Sequence, residues 1–239
     1  MRHEYTITLK ISCILFAFVA LAASAADTKP VLSDDEKKDG WTLLFDGETT
    51  TGWKKIGDKD FPKEGWEVAE GCLHHTKGHG GDIVTGEAYE NFELSLEWKI
   101  APGGNSGVKY RVEDKAGAGF GPEMQVLDDE KHPDGKHPKT AAGSLYNVIA
   151  TNDKKKLKPT GEFNSAKLVV NGNHAEHWLN GEKVVDYEFF SEEWKAAVAL
   201  SKFKGKANYG QPAKGHLLLQ DHGDEVWFRN IKIKVLPAK

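Results

Sequence analysis

The segment 123-EMQVLD-128 carries two polar side chains at alternate positions of a predicted strand. Met124 and Val126 have the parity of core residues, so Glu123 and Gln125 face the other side of the sheet. A carboxylate there can act as a general base or acid, and an amide beside it can bind sugar hydroxyls. The same pair could also be a solvated face. The neighbouring strands decide whether Glu123 and Gln125 form the floor of a site.

Asp128 follows Glu123 by five residues and would point inward in a regular strand, although a β-bulge would return it to the face of Glu123. The resulting spacing, E-x-Q-x-x-D, is similar to the E-x-D-x-x-E signature of laminarinase-like jelly-roll glycosidases. In the retaining enzymes of that class, two carboxylates about 5–5.5 Å apart act as nucleophile and acid/base. Here Gln125 replaces the middle Asp and Asp128 replaces the last Glu.

A cationic cluster follows a glycine-rich turn in 105-NSGVKYR-111. Asn105 closes the turn, and alternation predicts that Lys109 and Arg111 share one face of the strand. A guanidinium beside Glu123 would keep that carboxylate ionised and could bind sugar hydroxyls or a carbonyl oxygen. The alternative is an exposed cross-strand ion pair, which contributes little to stability.

A third polar group lies in 216-HLLLQDHGDEVWFRNI-231. His216, Leu218, Gln220 and His222 share parity, so Gln220 and His222 could join the face of Glu123. Histidine exchanges protons near neutral pH, which suits it to acid–base catalysis. A structural role for His222 is the competing interpretation.

Two loops are long for hairpin connections, and loops of such length are usually functional or disordered. Residues 128–143 form one, and residues 201–215 form the other, which is basic and contains Phe203 and Tyr209. The second could close over an anionic or sugar ligand, or it could be a solvated crossover. Trp rings can stack on sugars, and at most two are expected at the site, from the candidates Trp53, Trp66, Trp178, Trp194 and Trp227.

Metal binding is weakly indicated. The histidines of 74-HHTKGHGGD-82 and the pair His132 and His137 match no zinc spacing. Calcium could use loop carboxylates at Asp82, Asp128 and Asp129. We therefore predict no metal ligand and no cofactor, with a bound divalent cation such as calcium as the unsupported alternative.

The elements that must position these groups are mostly strands. Turn dipeptides such as Asn171-Gly172 and Asn180-Gly181 separate alternating segments, of which 92-FELSLEWKI-100 is the clearest. Helical patterns occur only over 33–40 and 191–202, the second beginning with a Ser cap and two Glu. This pattern predicts an all-β protein, a two-sheet jelly-roll sandwich with one or two short helices, in a single domain.

The chain begins with a pattern typical of an export signal: a weakly basic start, an apolar stretch and 23-ASA-25. We predict a signal peptide over 1–25, one domain over 26–239, no membrane span, and a secreted or periplasmic location. Without the signal's two bases and one acid, 30 Lys and Arg face 35 Asp and Glu, a formal charge of −5. This acidic balance argues against a nucleic-acid partner. Cys72, the cysteine that remains, is expected in the core.

Several blocks, taken together and in order, resemble the 3-keto-disaccharide hydrolase family, which is widespread in secreted bacterial proteins. The blocks are 41-WTLLFDGETTTGW-53, 81-GDIVT-85, 92-FELSLEWKI-100, 105-NSGVKYR-111, 123-EMQVLD-128, 177-HWLNGEKVVDY-187 and 216-HLLLQDHGDEVWFRNIKI-233. The resemblance implies a concanavalin A-like jelly roll, a glycoside or disaccharide substrate oxidised at C3, and a functional link to an oxidoreductase that makes the 3-keto sugar. It also implies a polar face formed by Asn105, Arg111, Glu123, Gln125, Gln220 and His222.

A ketone at C3 acidifies the C2 proton, so the glycosidic bond can break by elimination, followed by addition of water. We expect Glu123 or His222 to be the base, with Arg111 and either Asn105 or Gln220 as donors to the enolate oxygen. The predicted substrate-binding residues are Asn105, Lys109, Gln125, Asp128, Gln220 and Trp178. Two alternatives stay open: a retaining glycosidase that uses Glu123 and Asp128, and a non-catalytic carbohydrate-binding module.

Overall fold

The computed structural model of the chain describes Met1 and residues 29–237. The predicted signal peptide, residues 1–25, therefore lies outside the described residues except for Met1. Within the described part, no helix is both long and apolar enough to cross a membrane.

Within residues 29–237, two short helices and one 3₁₀ turn accompany the strands. Helix α1 spans Asp34–Lys38, helix α2 spans Glu192–Ala199, and the 3₁₀ turn spans Pro133–Lys136. Ser33 and Ser191 cap the two helices, because their hydroxyls accept hydrogen bonds from the amides of Glu36 and Trp194, at 3.1 Å in both cases. Both helices fall where the sequence predicts them.

The strands of the described residues are β1 Trp41–Leu43, β2 Trp53–Lys55, β3 Trp66–Ala69, β4 Cys72–His75, β5 Ile83–Thr85, β6 Phe92–Ile100, β7 Asn105–Val112, β8 Glu123–Leu127, β9 Asn164–Asn171, β10 His174–Leu179, β11 Glu182–Glu188, β12 His216–Leu219 and β13 Val226–Val235. One sheet has the order β11-β10-β9-β6-β13-β4-β3, with β1 also paired to β13, and the other has the order β2-β5-β12-β7-β8. These two antiparallel sheets form the predicted jelly-roll sandwich.

The core lies between the sheets. Strand β6 alternates fully buried and half-buried residues along its length, as its sequence predicts. Its inward side chains pack against those of β7, β8 and β12, which include Val108, Met124 and Leu219. Cys72 is also buried, as predicted.

Strands β7 and β8 are buried on both faces, in contrast to β6. Glu123 is only 6% exposed and Gln125 only 1% exposed. Loops cover the outer face of the five-stranded sheet here, so Glu123 and Gln125 do not form a solvated face.

A bulge interrupts β7 near its end. Leu218 of β12 pairs with Lys109, whereas His216 pairs with Val112, so the register shifts between these two pairs. Arg111 takes a left-handed conformation with φ of 54°. Such a φ is uncommon outside glycine, and at a bulge it redirects the side chain.

Strand β8 is the edge of the five-stranded sheet, and the segment 143–146 covers its outer side. The Gly143 amide donates to the Gln125 carbonyl at 2.8 Å, and the Gln125 amide donates to the Ser144 carbonyl at 3.2 Å. The Tyr146 amide donates to the Glu123 carbonyl at 3.0 Å. These bonds satisfy the edge of β8 and place Tyr146 beside the site.

Candidate active site

A cavity of about 260 Å³ lies on the outer face of the five-stranded sheet. Its floor comes from β7, from β8 and from the residues that follow β12, and its walls come from three loops. It is lined by Asn105, Lys109, Gly119, Phe120, Gly121, Glu123, Gln125, Tyr146, Lys202, Phe203, Gln220 and His222. Alternation along β8 therefore identified the correct face, and the structure brings six of the nine predicted site residues together here.

Glu123 occupies the middle of the floor, and its carboxylate lies over Gly107 of β7. A Cβ atom built on Gly107 would come within 2.1 Å of Glu123 Oε1, so only glycine leaves room for the carboxylate. The Gln220 amide completes the contact in the orientation that satisfies both its neighbours. Its nitrogen donates to Glu123 Oε1 at 3.2 Å, and its oxygen accepts from Lys109 Nζ at 3.1 Å.

Burial raises the pKa of Glu123 above its ordinary value, and the Lys109 ammonium is the strongest of the influences that oppose this shift. Burial disfavours the charged carboxylate, whereas a nearby cation favours it. A carboxylate with a raised pKa is a stronger base when it is ionised. The environment of Glu123 therefore suits proton abstraction.

Lys109 is held at a fixed position on the floor. Its Nζ donates to the Gly119 carbonyl at 3.0 Å as well as to Gln220, and its side chain is 8% exposed. Asp82 lies nearby, and burial raises its pKa while Lys109 lowers it. A buried ammonium fixed by acceptors is placed to stabilise negative charge on a bound ligand.

Asp221 fixes the segment that carries Gln220 and His222. Its carboxylate accepts hydrogen bonds from the amides of Gly80 and Gly81 at 2.7 Å and from the Gly223 amide at 2.8 Å. His222 itself lies at the cavity mouth, where its side chain is 48% exposed. His222 is therefore in contact with both the solvent and the cavity.

The long loop 201–215 supplies one wall of the cavity through Lys202 and Phe203. Lys202 Nζ lies 4.0 Å from the centre of the Tyr146 ring, and burial lowers the pKa of Lys202. Phe203 stacks on Tyr209 and meets Phe120 edge-on, with ring centres 4.2 and 5.6 Å apart. Apolar ring faces and a cation thus surround the polar floor.

The sequence prediction did not include Phe120 or Tyr146 in the site. Both come from irregular segments, where no alternation signals the direction of a side chain. Burial raises the pKa of Tyr146 to about 12, and its hydroxyl lies 3.3 Å from Asp134 Oδ2. Tyr146 therefore stays protonated at working pH.

Arg111 does not belong to this cavity, which corrects the prediction that it shares the face of Lys109. Its Nη1 donates to the Gly210 carbonyl at 3.0 Å and its Nη2 donates to the Gly172 carbonyl at 2.7 Å. The guanidinium carbon lies 3.8 Å from the centre of the Phe189 ring, and the residue is 2% exposed. The bulge at Arg111 breaks the alternation, so the side chain anchors the loop around Gly210 to the β9–β10 turn.

We expect Arg111→Met to lower the free energy of unfolding by about 2–4 kcal/mol, because two buried carbonyls lose charged donors. The folded variant should keep a turnover rate within about tenfold of the wild type. If Arg111 were a donor to the oxyanion, its loss would instead lower the rate by about 10²–10³-fold. Denaturant titration and kinetics on the folded fraction measure the two effects. Arg229→Met is the matched control: Arg229 also stacks on a phenylalanine, at 3.7 Å, but it is a half-exposed partner of Glu97. Its loss should cost less than about 1 kcal/mol.

Asp128 and Trp178 also lie elsewhere, which corrects their predicted place in the site. Strand β8 ends at Leu127, and the Asp128 carboxylate accepts hydrogen bonds from the amides of Gly103 at 2.7 Å and Glu130 at 3.1 Å. It lines a different cavity, of about 470 Å³, at the end of the sandwich. Trp178 belongs to β10 in the other sheet, where its ring is covered by Lys167 at 4.3 Å. None of the candidate Trp residues lines the cavity at Glu123.

Among the described residues, one group has ligand atoms close enough to hold a metal ion: His174, Glu176 and Asp186, within 4.8 Å of one another. It lies on β10 and β11, in the other sheet from the cavity. Lys183 already pairs with Glu176 at 3.1 Å and with Asp186 at 2.5 Å, which compensates their charge. The arrangement gives no specific indication of a metal ion.

Comparison with known proteins identifies a family and several relatives that match most of the chain. Residues 40–234 match the family described as the 3-keto-alpha-glucoside-1,2-lyase-like domain. A relative from Bacteroides thetaiotaomicron, named 3-keto-disaccharide hydrolase, is 36% identical over 231 residues, which cover 83% of this chain and 79% of the relative.

Two solved structures from Parabacteroides distasonis, each described as a candidate glycosyl hydrolase, share the fold. One has 37% identity and a TM-score of 0.80, and it covers 88% of this chain and 100% of its own. The other has 30% identity and a TM-score of 0.64, over 82% of this chain and 99% of its own. The family match spans most of the chain and agrees with the relative's name, so the chain belongs to the 3-keto-disaccharide hydrolase family, also described as the 3-keto-alpha-glucoside-1,2-lyase-like domain family.

Proposed function

We propose that this chain cleaves the glycosidic bond of disaccharides or other glycosides that carry a ketone at C3. The observation that carries the proposal is the buried Glu123 carboxylate, which shares a polar cavity floor with the fixed Lys109 ammonium. The family description and the relative's name support the same substrate class.

Proton abstraction is the first step. The C3 ketone acidifies the hydrogen on C2, and Glu123 accepts that proton. The electron pair of the C2–H bond forms a C2=C3 double bond, and negative charge develops on the C3 oxygen. Lys109 stabilises this oxyanion, the role that the sequence prediction gave to Arg111.

Cleavage and hydration follow. The charge returns from the C3 oxygen, a C1=C2 double bond forms, and the bond from C1 to the glycosidic oxygen breaks. His222, as imidazolium at the cavity mouth, gives the departing oxygen a proton. Water then adds its hydroxyl to C1 and gives its other proton to His222, while Glu123 returns the first proton to C2. The net reaction consumes one water and releases the 3-keto sugar and an alcohol.

This route needs one carboxylate, whereas a retaining glycosidase needs two about 5–5.5 Å apart. Asp128 does not supply the second, because its carboxylate is bound to backbone amides outside the cavity. The elimination route is therefore favoured over the retaining one. A carbohydrate-binding module would share the aromatic walls but has no use for a buried base.

The experiment incubates the protein with 3-keto-trehalose or a 3-keto-glucoside, beside the unoxidised sugars, with and without EDTA. The assay follows release of 3-ketoglucose. Release from the keto sugar alone supports the proposal. Turnover of unoxidised sugars, lost in Asp128→Asn, would support a retaining glycosidase. Tight glycan binding without any product would make the chain a binding module.

We extend the proposal to the cellular setting. The residues 1–25 direct export, and an oxidoreductase that oxidises C3 of the sugar supplies the substrate. The reaction as written uses no cofactor and no metal ion. The samples with EDTA test whether the reaction needs a metal ion. Unchanged release of 3-ketoglucose is expected, and a loss of release that calcium restores would contradict the proposal.

Lys109→Met tests the electrostatic coupling to Glu123. The base must be ionised, so kcat/KM should rise with pH through the pKa of Glu123, giving an acid limb above the ordinary glutamate value. Lys109 lowers that pKa, so its removal should move the acid limb to higher pH as well as reduce the rate. A pH profile of kcat/KM measures the shift. Lys167→Met, which removes a cation on the other sheet, should leave the limb in place, and an unmoved limb in Lys109→Met would contradict the coupling.

A further inference from the structure

The side-chain amides of Asn105 and Gln125 form a second polar part of the cavity floor. They hydrogen-bond to each other at 3.2 Å, and the Asn105 amide lies 3.5 Å from His132 Nε2. The other amide atom of Gln125 is buried and has no partner within the described part of the chain. A buried polar atom without a partner is costly, and Gln125 lines the cavity, so a ligand that reaches this atom would satisfy it.

The contacts from His132 through Asn105 to Gln125 form a short hydrogen-bond relay, and the backbone sets its direction. The Asp134 amide donates to His132 Nδ1 at 3.1 Å, capping the 3₁₀ turn. Nδ1 therefore carries a lone pair, and the single proton of the neutral imidazole must be on Nε2. Nε2–H is then a donor, so the atom of Asn105 that faces it must be the amide oxygen.

The proton on His132 determines the orientation of the two amides in the relay. An amide can turn over by 180° with its heavy atoms in place, so the hydrogen-bond network decides which atom is oxygen. With its oxygen toward His132, Asn105 offers its nitrogen to Gln125, and Gln125 must accept with its oxygen. The unpartnered atom of Gln125 is therefore its –NH₂ group. The opposite direction would require both imidazole nitrogens of His132 to accept, which a neutral imidazole cannot do.

We propose that the Gln125 –NH₂ group binds the C3 oxygen of the substrate and strengthens this bond as the oxygen becomes an enolate. This inference rests on the proposed function. Gln125 pairs with Gly107, over which the Glu123 carboxylate lies, so the donor and the base are neighbours. Lys109 pairs with Glu123 itself, so an oxyanion beside Glu123 has Lys109 and Gln125 as donors.

Kinetics of Gln125→Met test the donor, because methionine keeps the length of the side chain without an N–H. We expect kcat on the 3-keto-glucoside to fall about 10²–10³-fold, the usual cost of a lost oxyanion donor. Gln211→Met, an exposed glutamine outside the cavity, is the matched control and should keep the wild-type rate. If Gln125→Met does not fold, Gln125→Glu replaces it, with the same loss expected. A folded Gln125 variant with wild-type kcat would overturn the inference and leave the proposed function intact.

Asn105→Asp tests the direction of the relay. An aspartate cannot donate to Gln125, so the Gln125 amide should turn over, present its oxygen to the ligand, and lose kcat as Gln125→Met does. In the opposite direction the aspartate would still accept from Gln125, and kcat would fall clearly less than it does in Gln125→Met.

The tautomer of His132 gives a readout independent of activity, by ¹⁵N NMR of the wild-type protein. A proton on Nε2 is expected, and a proton on Nδ1 would overturn the inference. Wild-type protein that releases no 3-ketoglucose would refute the proposed function, and with it the role of Gln125, whatever the tautomer.

Discussion

Glu123→Gln is expected to reduce the release of 3-ketoglucose by about 10³-fold, within the usual range for loss of a general base. The amide keeps the shape of the side chain but cannot accept the C2 proton. Since burial of the Glu123 carboxylate opposes its ionisation, the neutral amide should leave stability unchanged or slightly increased. Single-turnover kinetics and thermal unfolding of the same samples measure both quantities.

Glu93→Gln is the matched control for this substitution. Glu93 lies on β6, on the half-buried outer face of the other sheet, so its replacement should change neither quantity. Full activity in Glu123→Gln would remove Glu123 as the base and leave His222 as the remaining candidate. His222→Ala, assayed beside it, would then carry the larger loss.

Gly107→Ala is expected to reduce the rate of the reaction while the protein stays folded. The new methyl group would occupy the place of the Glu123 carboxylate, which must move away from its position on the floor. A shift of about 1 Å in a catalytic group can cost about 10²-fold in rate. The free energy of unfolding should fall by about 1–3 kcal/mol, the usual cost of overpacking, because the buried Glu123 side chain has to move from Cγ outward. The backbone adds no strain, since φ of Gly107 is not left-handed.

Gly86→Ala provides the comparison. A Cβ atom at Gly86 would meet only the Gly52 carbonyl, at 3.6 Å, which is ordinary contact. This variant should keep wild-type kcat and stability. A Gly107→Ala protein with wild-type kcat would show that the carboxylate is not required where the structure places it.

Regular alternation made part of the site predictable from sequence. Glu123 and Gln125 were assigned to the correct face because β8 is regular from its first residue to its last. The same reasoning failed for Arg111, where a left-handed residue in a bulge breaks the period of two. Nothing in the local sequence marks that position, since the bulge is defined by pairing with β12, a strand about a hundred residues away.

The residues from loops were harder to predict for a different reason. The loop 201–215 was identified by its length and charge, but which of its side chains enters the cavity depends on packing of Phe203 against Phe120 and Tyr209. Asp128 was misplaced because β8 ends one residue before it, where backbone amides capture its carboxylate. The sandwich itself was predictable, since it follows from many alternating strands and turn dipeptides.

The cover that segment 143–146 forms over β8 also bears on self-association. An uncovered edge strand with apolar residues at Met124, Val126 and Leu127 would be a template for pairing with a second copy of the chain. The backbone hydrogen bonds that join Gly143, Ser144 and Tyr146 to β8 already use the edge groups with which a second copy would pair. The segment that brings an aromatic wall to the cavity therefore also protects the protein from edge-to-edge aggregation, and shortening it would cost colloidal stability as well as catalysis.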